Sequence, residues 1–359
     1  MHNQGPAALC FDHSLRDVKT QATAAIPSTP EEHPPVRRSL WDLAEGARSR
    51  SRGYVASAYL PWTIVAIGVL IRLVRYAADR SLWLDEAYLA LNLKGRSYGD
   101  LIGTLDFNQA APPLFLFIEK AVMGVFGDSE YALRLFPFAA AIGSMVLAYP
   151  VARRYLSPRA VPVALLFFAV LEPFAFFGAE VKQYSSDILV TLVLLYLCAR
   201  AVDAETRAFP RWIAAIAVAG IVGVSLSYPS AFVLAGVACA VLYSAIMRRD
   251  RTSILWVVTT FGLILVAFLV TFIVSIHKGR AVQASAASIS GDSRIVVKNL
   301  YLVFTDPAGL PRTVVGLAAV VALLGFVSIL RRSRALALLF AGCLASVFVT
   351  GLAGEYPIG

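Results

Sequence analysis

The stretch Ser81-Leu-Trp-Leu-Asp85-Glu86-Ala-Tyr88 places two adjacent carboxylates just beyond the first long hydrophobic run of the chain, near residues 59–78. That run is close to the ~20 apolar residues that cross a bilayer as a helix. Acidic side chains beside hydrocarbon are costly, so a pair at this position indicates chemistry or ion binding. The stretch therefore predicts a membrane protein with an acidic site at the end of its first span.

Composition supports the same class, because 58% of the residues are hydrophobic and only 15% are charged. Soluble globular domains carry more charge than this. We predict an all-α polytopic membrane protein with about nine transmembrane helices, since runs of roughly spanning length recur along the chain. The runs lie near residues 59–78, 131–152, 161–179, 186–202, 212–229, 231–247, 254–276, 313–330 and 335–353.

One further apolar segment, residues 112–127, is predicted not to cross. It has only 16 residues, and Glu119 and Lys120 lie at its centre. Both features argue against a full crossing. We expect a helix at the outer surface or a shallow re-entrant one, with Glu119 and Lys120 on its polar edge.

The positive charges predict the orientation. Lys and Arg mark the cytoplasmic ends of spans, which accounts for the net charge of +9 without a nucleic-acid partner. With a cytoplasmic N-terminus and no crossing at 112–127, every double-arginine cluster between spans lies inside: Arg153-Arg154, Arg248-Arg249 and Arg331-Arg332. Arg72 and Arg75 lie in the outer part of the first span and are expected to snorkel outward.

The ends of the chain differ from its middle. Residues 1–53 contain Pro27, Pro30, Pro34 and Pro35 but no long apolar run, which predicts a disordered cytoplasmic tail. No cleavable signal pattern is present, so the first span is expected to act as an anchor. Residues 54–359 form the predicted transmembrane module. The four cysteines show no metal or disulfide spacing and are interpreted as small apolar residues.

This topology brings acidic and basic residues together on the non-cytoplasmic face. Asp85 and Glu86 precede Asp187 by about a hundred residues, and Lys182 and Tyr184 lie just before Asp187. Converging carboxylates can deprotonate a hydroxyl or hold a divalent cation. Neighbouring cations can bind a phosphate. These residues together suit group transfer from a phosphate-linked donor in the membrane.

The outer segment 277–312 is basic, which breaks the charge rule for an outside loop. An anionic ligand would explain it, so Lys278 and Arg280 are candidate substrate-binding residues, together with Arg294 and Lys298. His277 is interpreted as an interfacial histidine, since no second histidine is near it.

Simpler roles remain open for each site residue. Asp85 and Glu86 can be solvated loop residues, and Asp187 can cap the helix that begins near residue 186. Lys182 can be an interfacial lysine that snorkels to water.

Four motifs carry a resemblance to a known family. They are, in order, Trp83-Leu-Asp85-Glu86-Ala-Tyr88, Ala111-Pro112-Pro113-Leu-Phe, Tyr131-Ala-Leu-Arg134-Leu-Phe-Pro137 and Glu180-Val-Lys182-Gln-Tyr184-Ser-Ser-Asp187. Over residues 59–205 the chain resembles the GT-C superfamily of membrane glycosyltransferases. It is most similar to the protein-O-mannosyltransferase-like group (glycosyltransferase family 39), which resembles the bacterial lipid A sugar transferases.

The resemblance implies an enzyme of the bacterial plasma membrane with its active site on the non-cytoplasmic face. Such enzymes transfer a sugar with inversion from a polyprenyl-phosphate donor to a hydroxyl of a protein, lipid or glycan. Asp85 matches the catalytic base, Glu86 its acidic neighbour, and Asp187 a second acidic residue of the site. Lys182 and Arg134 match positions near the substrate. Family members differ in their use of a divalent metal, so that point stays open.

The chain departs from the family pattern at two places. Relatives often have His or Lys before the Pro-Pro pair, where this chain has Ala110 and Ala111. Relatives also continue with further spans, so the module is expected to be C-terminally incomplete. Two other functions remain: a secondary transporter or lipid flippase, and an inactive fragment. Transporters, however, place such acids near the bilayer midplane and show internal repeats.

Overall fold

The computed structural model describes residues 59–286, 320, 323–328, 331 and 333–352. The tail at 1–53, Arg294, Lys298 and most of the predicted span at 313–330 lie outside these residues. Every regular element in the described part is a helix. The α-helices are α1 (Tyr59–Ala77), α2 (Leu84–Gly95), α3 (Pro113–Phe126), α4 (Glu130–Tyr155), α5 (Ala160–Val170), α6 (Glu172–Phe176), α7 (Tyr184–Asp203), α8 (Phe209–Leu226), α9 (Ser230–Met247), α10 (Arg251–Ala286) and α11 (Arg334–Leu352).

The all-α polytopic fold is confirmed. Within the described residues, six helices are long and apolar enough to cross a membrane: α1, α4, α7, α8, α9 and the part of α10 up to Val274. The bent pair α5 and α6 makes a seventh if it is one span. These seven correspond to the first seven predicted runs, and α11 corresponds to the last.

Helix α1 shows how an apolar helix packs when lipid surrounds the bundle. Its buried positions follow one another at three or four residues, at Pro61, the pair Ile64 and Val65, Gly68 and Arg72. A side chain at Gly68 would collide with Met145 of α4, since a Cβ there would lie 2.6 Å from the Met145 Sδ. The missing side chain therefore allows α1 to approach α4 closely, as small residues do between membrane helices.

Arg72 is buried, so the prediction that it snorkels to the outer interface is wrong. Only 1% of Arg72 is exposed. Its guanidinium donates to the carbonyls of Gly68 (3.0 Å) and Phe168 (3.1 Å) and lies over the Phe168 ring. The Phe168 carbonyl is in the last turn of α5, where helical carbonyls lack partners. Arg72 thus stabilises the end of α5 instead of reaching water.

The run predicted at 161–179 is broken. Helices α5 and α6 bend by 61° at Leu171, whose extended backbone ends α5. Pro173 lies in the first turn of α6, where its missing N–H costs no helical hydrogen bond. The pair starts just after the C-terminus of α4. It ends where the Val181 N–H donates to Glu86, which also binds Arg134 near the N-terminus of α4. Since the pair joins both ends of α4, it crosses the same depth as that helix.

Helix α3 is 14 residues long, shorter than a bilayer crossing requires. Glu119, however, is not on a polar edge as predicted, because it is fully buried together with Phe115 and Leu116 one turn earlier. Burial raises the pKa of Glu119 well above its ordinary value. Lys120 does reach a polar partner, the Leu93 carbonyl at 2.8 Å. The burial arises because α3 packs against α4 and α8.

Helix α10 continues beyond the predicted end of its span at residue 276. Its 36 residues extend to Ala286. At 1.5 Å per residue this length is roughly 54 Å, well beyond the ~30 Å hydrocarbon core. Lys278 and Arg280 therefore lie on a helical extension, where a loop was predicted.

The predicted orientation can be measured at the two ends of α4. Single cysteines replacing Asp128 and Ser157, in a background without the four native cysteines, should react differently with an impermeant thiol reagent in intact cells. Asp128 precedes α4 and Ser157 follows it, and both are exposed. Outside labelling at Asp128 alone is expected. Equal labelling at both positions would contradict the orientation.

Candidate active site

The site begins at the N-terminus of α2, where the two carboxylates are separated. Trp83 is the residue before the first helical turn, and Asp85 and Glu86 lie within that turn. The Glu86 Oε2 atom turns back and accepts the Trp83 backbone N–H at 2.9 Å. This is the reciprocal half of a capping box, in which the third helical residue satisfies a free N–H at the helix start. It directs Glu86 into the protein and Asp85 outward.

Glu86 is the centre of a buried ion-pair network that also contains Arg80, Arg134 and Glu180. Only 1% of Glu86 is exposed. Its carboxylate accepts two bonds from Arg134 (3.3 and 3.2 Å), one from Arg80 (3.3 Å) and one from the Val181 backbone N–H (2.8 Å). A carboxylate with these contacts has no lone pair directed at a substrate. We infer that Glu86 positions the site, in place of the predicted direct role in catalysis.

Arg134 is engaged on all its nitrogen atoms. Besides Glu86, it donates to the backbone carbonyls of Arg80 and Ser81, and only 3% of it is exposed. The planar guanidinium can satisfy several acceptors at once. Arg134 therefore fixes the turn between α1 and α2, and we infer this positioning role in place of the predicted substrate contact.

Arg80 was missed by the sequence analysis. One Nη atom lies 3.3 Å from Glu86 and 3.4 Å from Glu180, and the guanidinium lies over the rings of Trp83 and Phe176. Its other Nη atom is buried without a partner among the described residues. The only sequence signal was a basic residue five positions before Asp85.

Lys182 lies between the acidic groups and a second polar residue that the sequence analysis missed. Its ammonium donates to the Gln109 Oε1 at 2.9 Å. Burial lowers the pKa of Lys182, and the charges of Asp85, Glu180 and Glu86 oppose that shift. Burial and the nearby Glu86 raise the pKa of Glu180. Gln109 lies directly before Ala110 and Ala111, where relatives were expected to carry a basic residue.

Asp85 is the carboxylate left free by this arrangement. It is exposed, and it makes no hydrogen bond or ion pair with the part of the chain that the structure describes. Its charge nevertheless acts on Lys182 and on the Tyr184 hydroxyl. Asp85, Lys182 and Tyr184 therefore share one neighbourhood, as the sequence predicted.

Asp187 does not cap its helix, because α7 begins at Tyr184 with Gln183 in the cap position. The Asp187 Oδ1 and the Ser227 Oγ are buried near each other, and neither has a partner in good hydrogen-bond geometry among the described residues. Ser227 belongs to the turn between α8 and α9. Buried polar atoms without partners are uncommon in folded proteins and call for an explanation.

No group of three or more His, Cys, Asp or Glu side chains that could hold a metal ion occurs within the described ranges. The predicted carboxylates do not form one, because Glu86 is bound by arginines. These residues therefore provide no ligand set for the divalent metal that the resemblance left open.

Comparison with known proteins gives one family and one solved structure. Residues 110–272 match the family of dolichyl-phosphate-mannose-protein mannosyltransferases. This range contains the motifs around Pro112, Arg134 and Lys182, and it begins after Asp85. The solved structure is ArnT from Cupriavidus metallidurans in the apo state, at 18% identity and a TM-score of 0.40 over 81% of this chain. The chain spans 60% of the length of that protein.

A search of curated proteins returned no significant match. The matched family nevertheless agrees with the group inferred from the four motifs, and three of those motifs lie inside the matched range. The predicted resemblance to this family is confirmed over residues 110–272.

Proposed function

We propose that this protein transfers a sugar from a polyprenyl-phosphate donor to a hydroxyl acceptor, with inversion at the anomeric carbon, on the non-cytoplasmic face. The main support for the proposal is the contrast between the adjacent carboxylates of Asp85 and Glu86. Glu86 is buried and fully bonded, whereas Asp85 is exposed and unbonded in the described part of the chain, beside the half-buried Lys182. A free carboxylate on a rigid support next to a cation suits a general base beside a phosphate.

In this reaction the acceptor oxygen attacks the anomeric carbon while Asp85 takes the hydroxyl proton. The bond from that carbon to the phosphate oxygen breaks, and its electron pair leaves with the lipid phosphate. The Lys182 ammonium and the unpartnered Nη of Arg80 can stabilise this negative charge. Breaking one bond as the other forms on the opposite face gives inversion.

Asp187 and Ser227 are placed to orient the acceptor. Their side chains lie near each other, and an acceptor hydroxyl between them can donate to the Asp187 Oδ1 and accept from the Ser227 hydroxyl. The Tyr184 hydroxyl, which lies within electrostatic reach of both Asp85 and Asp187, connects the two carboxylates.

The donor class is tested by supplying membranes that contain the full-length protein with one labelled sugar in two forms. Transfer should occur from the polyprenyl-phosphate sugar and not from the nucleotide sugar. Transfer only from the nucleotide sugar would overturn the proposal. Movement of the intact lipid-linked sugar across the membrane without transfer would favour the flippase instead.

The basic segment after residue 277 is expected to strengthen donor binding. Lys278 and Arg280 lie on the extension of α10, while Arg294 and Lys298 lie outside the described residues. Replacing all four with glutamine should weaken donor binding, and less so at high salt, because exposed charges are screened over ~8–10 Å. The measurement is donor affinity in detergent at two ionic strengths. Unchanged affinity would remove the segment from the site and leave Lys182 as the main phosphate contact.

A further inference from the structure

A groove lies between α1 and α4 at the end of the bundle opposite the candidate active site. It is an open depression of about 490 Å³, lined by Trp62, Val146, Leu147, Tyr149, Pro150 and Arg153. Arg134 belongs to the ion-pair network, and Arg153 lies nineteen residues later on the same helix. At 1.5 Å per residue this separation is roughly 29 Å. The groove is therefore a separate feature from the transfer site.

The walls of the groove suit a hydrocarbon chain. Trp62 and Tyr149 form an edge-to-face aromatic pair with ring centroids 5.0 Å apart. Trp62 is 48% exposed and Val146 is 42% exposed. Because α1 and α4 are both candidate membrane spans, the groove opens toward lipid acyl chains and not toward bulk water.

The charge at the groove comes from Arg153. Its guanidinium lies over the Tyr149 ring, 5.5 Å from the centroid, and it forms no ion pair within the described part of the chain. The next residue, Arg154, is by contrast fully engaged by Asp203, with two bonds of 2.6 and 2.5 Å. Arg153 is thus an exposed cation fixed at the end of an apolar groove. That combination complements a lipid with an anionic headgroup.

We propose that this groove binds an anionic glycerophospholipid. The acyl chain lies along Trp62, Val146 and Leu147, and the phosphate meets the Arg153 guanidinium. Trp62 and Tyr149 are amphipathic rings of the kind enriched at the membrane interface, and they hold the glycerol region between chain and phosphate. With the predicted orientation, the lipid belongs to the cytoplasmic leaflet, which carries most of the anionic lipid.

Native mass spectrometry of the full-length protein released from bilayers of equal phosphatidylglycerol and phosphatidylcholine tests the proposal. The unmodified protein should retain phosphatidylglycerol preferentially. Arg153→Gln should lower that preference about fivefold, the typical share of one basic residue at a membrane surface. Val146→Trp, which fills the groove, should reduce the retention of both lipids.

Arg159→Gln is the matched control, because Arg159 is an exposed arginine near the same end of α4 and does not line the groove. It should keep the preference. Equal retention of the two lipids by the unmodified protein would overturn the proposal. So would an equal loss in Arg159→Gln and Arg153→Gln, which indicates general charge attraction. Unchanged retention in Val146→Trp would also overturn it, because the lipid would then bind outside the groove.

Discussion

Replacing Asp85 with asparagine should reduce sugar transfer by about 10²–10⁴-fold, the usual contribution of a positioned general base. Asparagine keeps the size of the side chain but cannot take the acceptor proton. Because Asp85 is exposed and makes no bond within the described residues, the variant should fold, insert and bind donor normally. The measurement is single-turnover transfer from a labelled polyprenyl-phosphate sugar, with the variant's donor affinity determined in parallel.

Asp128→Asn is the control for this experiment. Asp128 is another exposed acid of the segment between α1 and α4, paired with Lys94 at 2.5 Å. Its neutralisation should leave transfer near the unmodified rate. If Asp85→Asn transfers sugar as fast as the control, the assignment of the base is wrong. Asp187 is then the next candidate, since the carboxylate of Glu86 is already occupied.

The second large effect is expected in stability. Glu86→Gln should destabilise the protein by ~3–5 kcal/mol, because it leaves the buried Arg134 without its counter-charge. Both side chains are almost fully buried, at 1% and 3% exposure, so solvent screens their interaction weakly. Thermal unfolding of the purified protein in detergent measures the change. Transfer should also fall, since Glu86 holds the backbone of Val181 next to Lys182.

A double-mutant cycle separates the Glu86–Arg134 interaction from general damage to the fold. Arg134→Met alone should also destabilise the protein, but by less than Glu86→Gln, because Glu86 then keeps Arg80 as a counter-charge. The double variant should be less destabilised than the sum, because neither charge then remains alone. Strict additivity, or an unmodified melting temperature in Glu86→Gln, would contradict the proposed network.

The sequence predicted the helical spans well because apolar runs of spanning length have few alternatives in a bilayer. It also predicted that Asp85 and Lys182 come together, since the charge rule placed both segments on one side, whereas Arg134 was assigned to the site only from the family resemblance. Their roles were harder to predict. Whether an acid is free or bonded depends on contacts between distant segments, and Glu86 and Asp85 look equivalent in the sequence.

The burial of charged residues inside helices was predicted least well, because it also depends on contacts between distant segments. Arg72 and Glu119 were assigned to interfaces because charges normally avoid hydrocarbon. The structure buries them against other helices instead. Arg72 reaches the Phe168 carbonyl because α5 ends at Leu171, and a break of this kind inside a continuous apolar run leaves little trace beyond Pro173. Arg80 and Gln109 belong to no motif, so only their contacts reveal them.

The central claim is that the free carboxylate of Asp85 drives sugar transfer from a lipid-phosphate donor. The most direct test reconstitutes the full-length protein, or its Asp85→Asn variant, in membranes that carry the native acceptors and a polyprenyl-phosphate sugar labelled in the sugar. The account predicts that the unmodified protein moves the label to an acceptor hydroxyl with inverted anomeric configuration, and that Asp85→Asn leaves it on the lipid. Retained configuration, or equal transfer by both proteins, would contradict it.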